Sequence, residues 1–335
     1  MLDASMKQVI FDAPGGPDVL QVRDVPLPIP KPNEVLVRVV AAGVNRPDIL
    51  QRAGLYPPPL GASPHLGLEI SGYVEQVPNG ITTFSEGQAV CALVAGGGYA
   101  EYVSVPVEHL MSVPVGLSVL HAAALPETCM TVWSNVFERC ALAPHETLLV
   151  HAGASSIGLT AIAMGKAHGA RVAATVSSKE KAEACKKAGA DHVFFYSEPD
   201  WERQIATALS GVDVILDFVA GSTLDKNLNL LSVEGRLCII AQLSGRIADL
   251  DMGKLMIRRL TVTGSTLRAR SHAYKAHLSR TLQQRVWPSV EMGLISPFVH
   301  QVFPVDQVRL AHEVLENRSN IGKVLLSFAN EGEIS

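Results

Sequence analysis

The stretch "HAGASSIG", residues 151–158, follows an apolar strand pattern, "TLLV", and opens a helical pattern, "SSIGLTAIAMGKAHG". It aligns with the G-x-G-x-x-G pattern at Gly153, Ser155 and Gly158, with serine in place of the middle glycine. Gly153 permits a tight turn, Gly158 lets helix and strand pack closely, and the helix N-terminus offers N–H groups to a pyrophosphate. The context favours a dinucleotide site over a glycine-rich turn of another α/β fold.

Strand and helix patterns alternate through the region around this stretch. "ARVAATV", "DHVFFY", "VDVILDFV", "GRLCIIA" and "LTVTGST" are typical of buried strands, and helical patterns such as "KEKAEACKKAG" separate them. Such alternation implies right-handed crossovers and a parallel sheet covered on both faces. Residues 123–267 are therefore predicted to form a doubly wound Rossmann domain.

The remaining chain has a different pattern. Residues 1–122 contain short strand patterns broken by proline and glycine, which predicts a rolled-up, mostly antiparallel β-domain. Residues 268–335 return to helices and two short strands, "HQVFPV" and "KVLLSF", and are predicted to close that first domain. The predicted fold is therefore α/β, a β-rich domain with the Rossmann domain inserted.

Composition excludes several classes of protein. The chain has 335 residues, 47% of them hydrophobic, and a net charge of −4 with scattered basic residues, so neither nucleic acid nor a membrane surface is expected as a partner. No apolar run approaches the roughly 20 residues that span a bilayer, and no signal peptide is predicted. The five cysteines form no CxxC motif, which favours reduced thiols and a cytoplasmic location.

Cofactor choice is indicated at the end of the second strand of the Rossmann region. The segment "TVSSKEK" has Ser178 and Lys181 and no acid at the strand tip. A carboxylate there would hold the ribose 2′-hydroxyl of NAD, whereas hydroxyls and a lysine suit a 2′-phosphate. NADPH is therefore the expected cofactor. The alternative interpretation treats the lysines as the solvated face of the next helix.

The chain resembles, over almost its whole length, the zinc-free quinone oxidoreductase branch of the medium-chain dehydrogenase/reductase superfamily. It is most similar there to the ζ-crystallin-like and tumour-suppressor-induced NADPH:quinone oxidoreductases. The resemblance implies a GroES-like catalytic domain, NADPH-dependent reduction of a small-molecule quinone or enone, and a homodimer joined through "RRLTVTGST". The motifs that carry it are "AAGVNRPDILQRAGLYPPP", "LGLEISGYV", "HAGASSIG", "VILDFVAG", "GSTLRARS" and "NIGKVLLSF".

The resemblance also implies that no metal is bound. Zinc enzymes of the superfamily hold catalytic zinc with a cysteine in the counterpart of "GVNRPD" and the histidine of a G-H-E motif, where this chain has Asn45 and Leu68. The four-cysteine lobe of those enzymes has no counterpart. Glu69 is interpreted as a structural acid, and His65 as a loop histidine without further ligands at suitable spacing.

Loss of zinc constrains the chemistry. Hydride addition to a simple ketone forms an alkoxide, which a Lewis-acid zinc would stabilise. Hydride addition to a quinone forms a phenolate-like anion, and phenols have a pKa near 10; addition to an enone forms a delocalised enolate. A metal-free site is therefore expected to prefer conjugated carbonyls.

Candidate site residues follow from the matching motifs. The resemblance implies that Asn45 and Tyr56 lie beside the nicotinamide as catalytic candidates, with Asn45 also a cofactor contact. The Tyr56 phenol could orient or protonate the acceptor, or it could be a tyrosine packed on a proline turn. The remaining cofactor-binding candidates are Thr131 near the nicotinamide, Gly153, Ser155, Ile157 and Gly158 at the glycine turn, Ser178, Lys181 and Tyr196 on the 2′-phosphate and adenine side, and Gln242 and Leu267 near the nicotinamide ribose.

Other charged residues are assigned ordinary roles. Asp48 and Arg52 are interpreted as local helix charges, and "RARSHAYKAH" as a solvated helix start. That basic tract could instead serve an enone or enoyl-thioester reductase on the same scaffold, which is the alternative function. A non-catalytic, crystallin-like NADPH-binding protein is a minor alternative.

Overall fold

The computed structural model describes residues 5–329. They form two compact units. The first contains the described chain up to Thr128, Arg268–Glu291 and the described chain from Pro297, and the second contains Cys129–Leu267 and Met292–Ser296.

Strands and helices are numbered in chain order. The strands are β1 Ser5–Ile10, β2 Gln21–Pro26, β3 Glu34–Val44, β4 Glu69–Gln76, β5 Ala89–Leu93, β6 Tyr102–Pro106, β7 Leu110–Ser112, β8 Thr147–Val150, β9 Arg171–Val176, β10 His192–Phe195, β11 Val212–Asp217, β12 Leu231–Ile239, β13 Thr261–Gly264, β14 Val299–Pro304 and β15 Lys323–Ser327. The helices are α1 Arg46–Arg52, α2 Val119–Ala122, α3 Pro126–Val132, α4 Ser156–Ala167, α5 Lys179–Lys187, α6 Trp201–Leu209, α7 Leu224–Leu230, α8 Met252–Ile257, α9 His272–Arg285, α10 Trp287–Glu291 and α11 Val308–Glu316. A π-helix, Trp133–Arg139, follows α3, and 3₁₀ turns lie at Pro17–Val19, Val107–His109, Gly221–Thr223 and Val305–Gln307.

The first unit is built on a seven-stranded sheet. Its order is β14-β15-β3-β4-β5-β7, with β6 also paired to β3, and β1 and β2 form a separate hairpin. All pairs are antiparallel except β14 with β15. Strand β15 pairs with β3, with Val324 opposite Val44. The end of the described chain is therefore part of the first sheet.

The second unit is built on a six-stranded parallel sheet in the order β10-β9-β8-β11-β12-β13. Counted within the unit this is the order 3-2-1-4-5-6 of dinucleotide-binding folds, which reverses direction between β8 and β11. Leu149, Ile215 and Leu237 are fully buried in its core. The predicted α/β class, with a β-rich unit and a doubly wound parallel-sheet unit, is confirmed. Among the described residues, no helix combines the length and apolar character required to cross a bilayer.

The interpretation of Asp48 and Arg52 as local helix charges is incomplete, because Asp48 caps the start of α1 and Arg52 lies in its last turn, but both side chains also make long-range contacts. Asp48 is fully buried, and its carboxylate accepts hydrogen bonds from Asn45 N at 2.9 Å, Gly67 N at 3.0 Å and the Tyr99 hydroxyl at 3.2 Å. Arg52 is 1% exposed and forms an ion pair with Glu316 of α11. Helix α1 is enclosed by chain segments far away in sequence, which local patterns do not reveal.

Candidate functional site

The glycine turn after β8 is shaped by close packing. A Cβ at Gly158 would lie 2.6 Å from the carbonyl oxygens of Ala152 and Gly153, and a Cβ at Gly153 would lie 2.7 Å from Ala174 Cβ. Ser155 is the N-cap of α4, where its hydroxyl oxygen accepts from Gly158 N at 3.0 Å. The turn therefore brings the N-terminus of a 12-residue helix to the carboxyl end of a central strand, the arrangement that binds a pyrophosphate.

A buried polar network supports this turn, and sequence reasoning assigned it no role. His151 hydrogen-bonds through Nδ1 to Thr175 Oγ1 at 2.9 Å and through Nε2 to Asn227 Oδ1 at 2.7 Å. Asn227 donates to Asp217 Oδ2 at 3.0 Å, and Asp217 accepts from the N–H groups of the turn after β11. The network joins the two strands at the reversal point of the sheet. The motif "VILDFVAG" contains Asp217, a single acid at the end of an apolar run. An acid in such a position could have indicated a buried polar role.

The tip of β9 carries the candidate 2′-phosphate contacts. Ser178 is the N-cap of α5 and accepts from Lys181 N at 3.3 Å. The fully exposed Glu180 is also here, and a hydrogen bond with Ser178 holds the pKa of its carboxyl below its usual value. One acid therefore lies close to the strand tip, in the first turn of α5, where the sequence interpretation expected none. Tyr196 directly follows β10 and is 53% exposed.

Thr131 is held by the helical segment that precedes the sheet. It is buried, and its carbonyl oxygen accepts from Asn135 Nδ2 at 2.8 Å and Ser134 Oγ at 3.2 Å. Asn135 lies in the π-helix, and Ser265 after β13 donates to its Oδ1 at 2.6 Å. π-Helical turns often occur at functional sites. This one links Thr131 to the loop that leads to Leu267.

The second unit gathers its candidates at one edge of the sheet. The glycine turn, Ser178, Tyr196, Gln242 and Leu267 each lie just beyond the carboxyl end of a strand, where α/β sheets bind ligands. Ile157 and Leu267 are partly exposed, and Gln242 is exposed. The close-packed glycine turn and the N-terminus of α4 fit a dinucleotide. The individual roles of these residues stay predictions.

In the first unit, Asn45 belongs to a buried charged cluster. Lys323 Nζ donates to Glu69 Oε1 at 2.5 Å and to Asn45 Oδ1 at 2.7 Å, and Asn45 Nδ2 donates to Glu69 Oε1 at 2.9 Å. Lys323 and Glu69 are 1% and 0% exposed in their side chains. A Cβ at Gly43 would lie 2.1 Å from Glu69 Oε1, so a glycine is required there. These contacts support Glu69 as a structural acid; catalytic and ribose-binding roles of Asn45 stay predictions.

Side chains that could hold a metal are not grouped in the described part of the chain. No cluster of three or more His, Cys, Asp or Glu residues within 5–329 has a geometry suited to a metal ion. Leu68 is buried at 4% exposure, and Asn45 is engaged with Lys323 and Glu69. Burial lowers the pKa of His65, which favours its neutral form.

Tyr56 lies on the loop after α1 and is half-buried. The guanidinium carbon of Arg268 lies 5.7 Å from the centroid of its ring. Burial raises the pKa of the Tyr56 phenol, Arg268 opposes that rise, and Glu127 adds to it. The phenol is therefore protonated near neutral pH and could donate a proton.

Two protein families match successive parts of the chain. An "Alcohol dehydrogenase GroES-like domain" matches residues 31–115 and a "Zinc-binding dehydrogenase" matches residues 156–284. The quinone oxidoreductase of Pseudomonas aeruginosa is 33% identical over 325 residues, which covers 96% of this chain and 99% of that protein. The chain belongs to the quinone oxidoreductase branch of the medium-chain dehydrogenase/reductase superfamily.

Two further members of this superfamily bear on the chemistry. The 2-haloacrylate reductase of Burkholderia sp is 30% identical, covering 93% of this chain and 96% of that protein. The Escherichia coli quinone oxidoreductase, solved in complex with NADPH, is 29% identical with a TM-score of 0.85, covering 96% of this chain and 99% of that one. The resemblance to the quinone oxidoreductase branch is thereby confirmed.

Proposed function

We propose that the chain is a zinc-independent, NADPH-dependent reductase that transfers hydride to quinones or related conjugated carbonyls. The observation that carries the proposal is the state of the two positions that ligate zinc in the zinc enzymes. One is a buried leucine, Leu68, and the other is Asn45, whose amide is engaged by Lys323 and Glu69. Without Lewis-acid help, the acceptor itself must disperse the charge that hydride brings.

NADPH fits the side chains at the carboxyl edge of the parallel sheet. The N-terminus of α4 and the glycine turn would bind the pyrophosphate, and Ser178 and Lys181 would bind the 2′-phosphate. NADPH in the E. coli quinone oxidoreductase supports this assignment. The bound cofactor supplies the hydride. Thr131, Gln242 and Leu267 would orient the nicotinamide end.

Tyr56 is proposed as the proton donor. Its phenol is half-buried and protonated near neutral pH, and a positioned acid assists acceptors that must be protonated at carbon. Quinone acceptors need this less, because their reduced anions can take protons from water. Any semiquinone would form afterwards, when the hydroquinone product gives one electron and one proton to a second quinone.

A second candidate is reduction of activated alkenes, such as enones, enoyl thioesters or acrylates. It is favoured by the Burkholderia 2-haloacrylate reductase, whose named substrate is an alkene conjugated to a carboxylate. Both candidates require a conjugated acceptor and differ in whether a carbon atom is protonated.

The test is NADPH oxidation with a panel of ortho-quinones, para-quinones, alkenals, 2-haloacrylate and enoyl thioesters, each repeated with NADH. We expect turnover with at least one conjugated class and a preference for NADPH. Tight NADPH binding with no turnover on any acceptor would instead favour a non-catalytic binding protein.

The chain is further proposed to be a cytoplasmic homodimer. All five cysteines are buried and none of them forms a disulfide, as expected in a reducing compartment. Strand β13 is at one end of the parallel sheet and pairs with β12 alone among the described strands. An unpaired edge strand can pair with a strand of another chain. Pairing of β13 with β13 of a second copy would cover this edge in both copies.

A further inference from the structure

Arg268 opens the return of the chain into the first unit and is held at several points. It is 6% exposed, and its Nε donates to the carbonyl oxygen of Ala95 at 2.9 Å. Its own carbonyl oxygen accepts from the buried Lys275 Nζ at 2.7 Å. A Cβ at Gly96 would lie 2.6 Å and 2.9 Å from the carbonyl oxygens of Ser63 and His65 and 3.3 Å from Arg268 Nη2, so the backbone beside the guanidinium is closely packed. The interpretation of "RARSHAYKAH" as a solvated helix start is wrong for Arg268 and Lys275, which packing encloses.

The terminal nitrogens of Arg268 are buried without hydrogen-bond partners among the described residues. A guanidinium in this state is unfavourable unless nearby charge or π density compensates it. Two groups can do so. The buried carboxylate of Asp48 attracts Arg268, and the Tyr56 ring lies 5.7 Å from its guanidinium carbon, within cation–π range. Lys275 is the other cation nearby, and its positive charge repels that of Arg268.

We propose that Arg268 is a positioning residue for Tyr56, fixing the phenol ring and stabilising the phenolate that forms when Tyr56 gives up its proton. This inference rests on the proposed function in its activated-alkene form. Bound NADPH would supply a hydride, with its electron pair, to the β-carbon and be oxidised to NADP⁺, which would leave the acceptor as an enolate. The O–H bond of Tyr56 then breaks, a C–H bond forms at the α-carbon, and the phenolate regains a proton from water.

The electrostatic surroundings of Tyr56 support this role. Burial and Glu127 both disfavour the phenolate, and Arg268 is the group that favours it. Removal of the Arg268 charge therefore makes Tyr56 a weaker acid. An arginine that only filled space would leave the acidity of Tyr56 unchanged.

The first test titrates Tyr56 directly, without any acceptor. Tyrosinate absorbance is followed against pH, and the same curve for Tyr56→Phe is subtracted to isolate one of the six tyrosines. Arg268→Met keeps an unbranched apolar side chain and removes the charge, and we expect it to move the Tyr56 midpoint to higher pH. Arg268→Lys keeps the charge and should stay nearer to the wild-type midpoint. Circular dichroism checks that each variant is folded.

Arg270→Met is the matched control. Arg270 is exposed, and its guanidinium carbon lies 4.0 Å from the ring centroid of Tyr274, so the variant removes the same charge from another tyrosine. It should leave the Tyr56 midpoint unchanged. An unchanged midpoint in folded Arg268→Met would overturn the proposal, whether or not the protein reduces any acceptor.

The second test measures enone turnover in a double-mutant cycle. Arg268→Met should reduce kcat about tenfold when Tyr56 is present, which corresponds to the loss of a desolvated cation–ring contact. It should have little further effect in the Tyr56→Phe background, because the phenol through which Arg268 acts is already absent. Equal losses in the two backgrounds would contradict a role through Tyr56. If wild type reduces no enone but the midpoint still moves, the activated-alkene form of the proposed function fails and the Arg268–Tyr56 coupling stands.

Discussion

One hydroxyl group distinguishes a catalytic Tyr56 from a tyrosine that only packs on the proline-rich loop. Tyr56→Phe keeps the ring and removes that hydroxyl. Because general acid catalysis is worth about a hundredfold to ten-thousandfold, turnover with alkenals or enones should fall by at least about a hundredfold. The fall with ortho-quinones should be smaller, and NADPH affinity should barely change. Equal falls with both classes, measured by steady-state kinetics, would indicate that Tyr56 positions the acceptor and is not the acid.

Lys181 tests the choice of cofactor at one side chain. A charge-assisted contact is typically worth about 1.5–3 kcal/mol, so Lys181→Ala should weaken NADPH binding roughly ten- to a hundredfold and leave NADH binding unchanged. The control is Lys179→Ala, which removes an exposed lysine from the same helix start and should change little. Fluorescence titration with each cofactor measures both. Equal losses for NADPH and NADH would place Lys181 outside 2′-phosphate recognition.

At the scale of elements, the spacing of apolar residues predicted which segments form strands and which form helices. The alternating patterns predicted a parallel sheet, and Gly158 has the close packing expected of it, whereas the order of the strands and the N-cap role of Ser155 were not predicted. The buried cluster of Lys323 with Asn45 and Glu69 was not predicted, because these residues meet only when β15 joins the sheet. Periodicity also does not distinguish the π-helix from an ordinary helix. Contacts between residues far apart in the sequence were therefore not predicted.

The contact between α1 and α11 predicts an acid-sensitive element. His312 of α11 is fully buried, its Nδ1 lies 3.1 Å from Arg52 Nη1, and burial lowers its pKa to about 3. A depressed histidine pKa contributes stability that is present above about pH 6.5 and lost as the pH falls towards 3. The loss amounts to at most about 5 kcal/mol. Asp48, whose pKa burial raises to about 6, acts in the opposite direction. Its contribution to the stability of the protein is lost as the pH rises from about 4 to 6.

His312→Asn keeps an acceptor for Arg52 and cannot take up a proton. Its free energy of unfolding should therefore decrease less than that of wild type between pH 6.5 and 4, as measured by urea denaturation at each pH. Subtracting the wild-type curve cancels the contribution of Asp48. His145→Asn, at an exposed left-handed position that asparagine tolerates, is the control and should follow wild type. A His312→Asn curve parallel to wild type would count against the buried neutral histidine.

At the scale of the whole molecule, the edge of β13 predicts a dimer. Light scattering at micromolar concentration should give about twice the chain mass of 35.8 kDa. Thr261→Lys places a charge on an exposed position of β13 and should weaken the pairing of two copies, whereas Thr207→Lys on α6 should not. A wild-type monomer would contradict the homodimer.

The central claim is that conjugation of the acceptor replaces a Lewis-acid metal. The most direct measurement compares NADPH oxidation with an enone and with the saturated ketone of the same carbon skeleton, using chelator-treated protein whose zinc content has been determined. The account predicts less than stoichiometric zinc, full activity in chelator, and turnover of the enone with none detectable for the saturated ketone. One zinc per chain together with loss of activity in chelator, or equal turnover of the two acceptors, would contradict it.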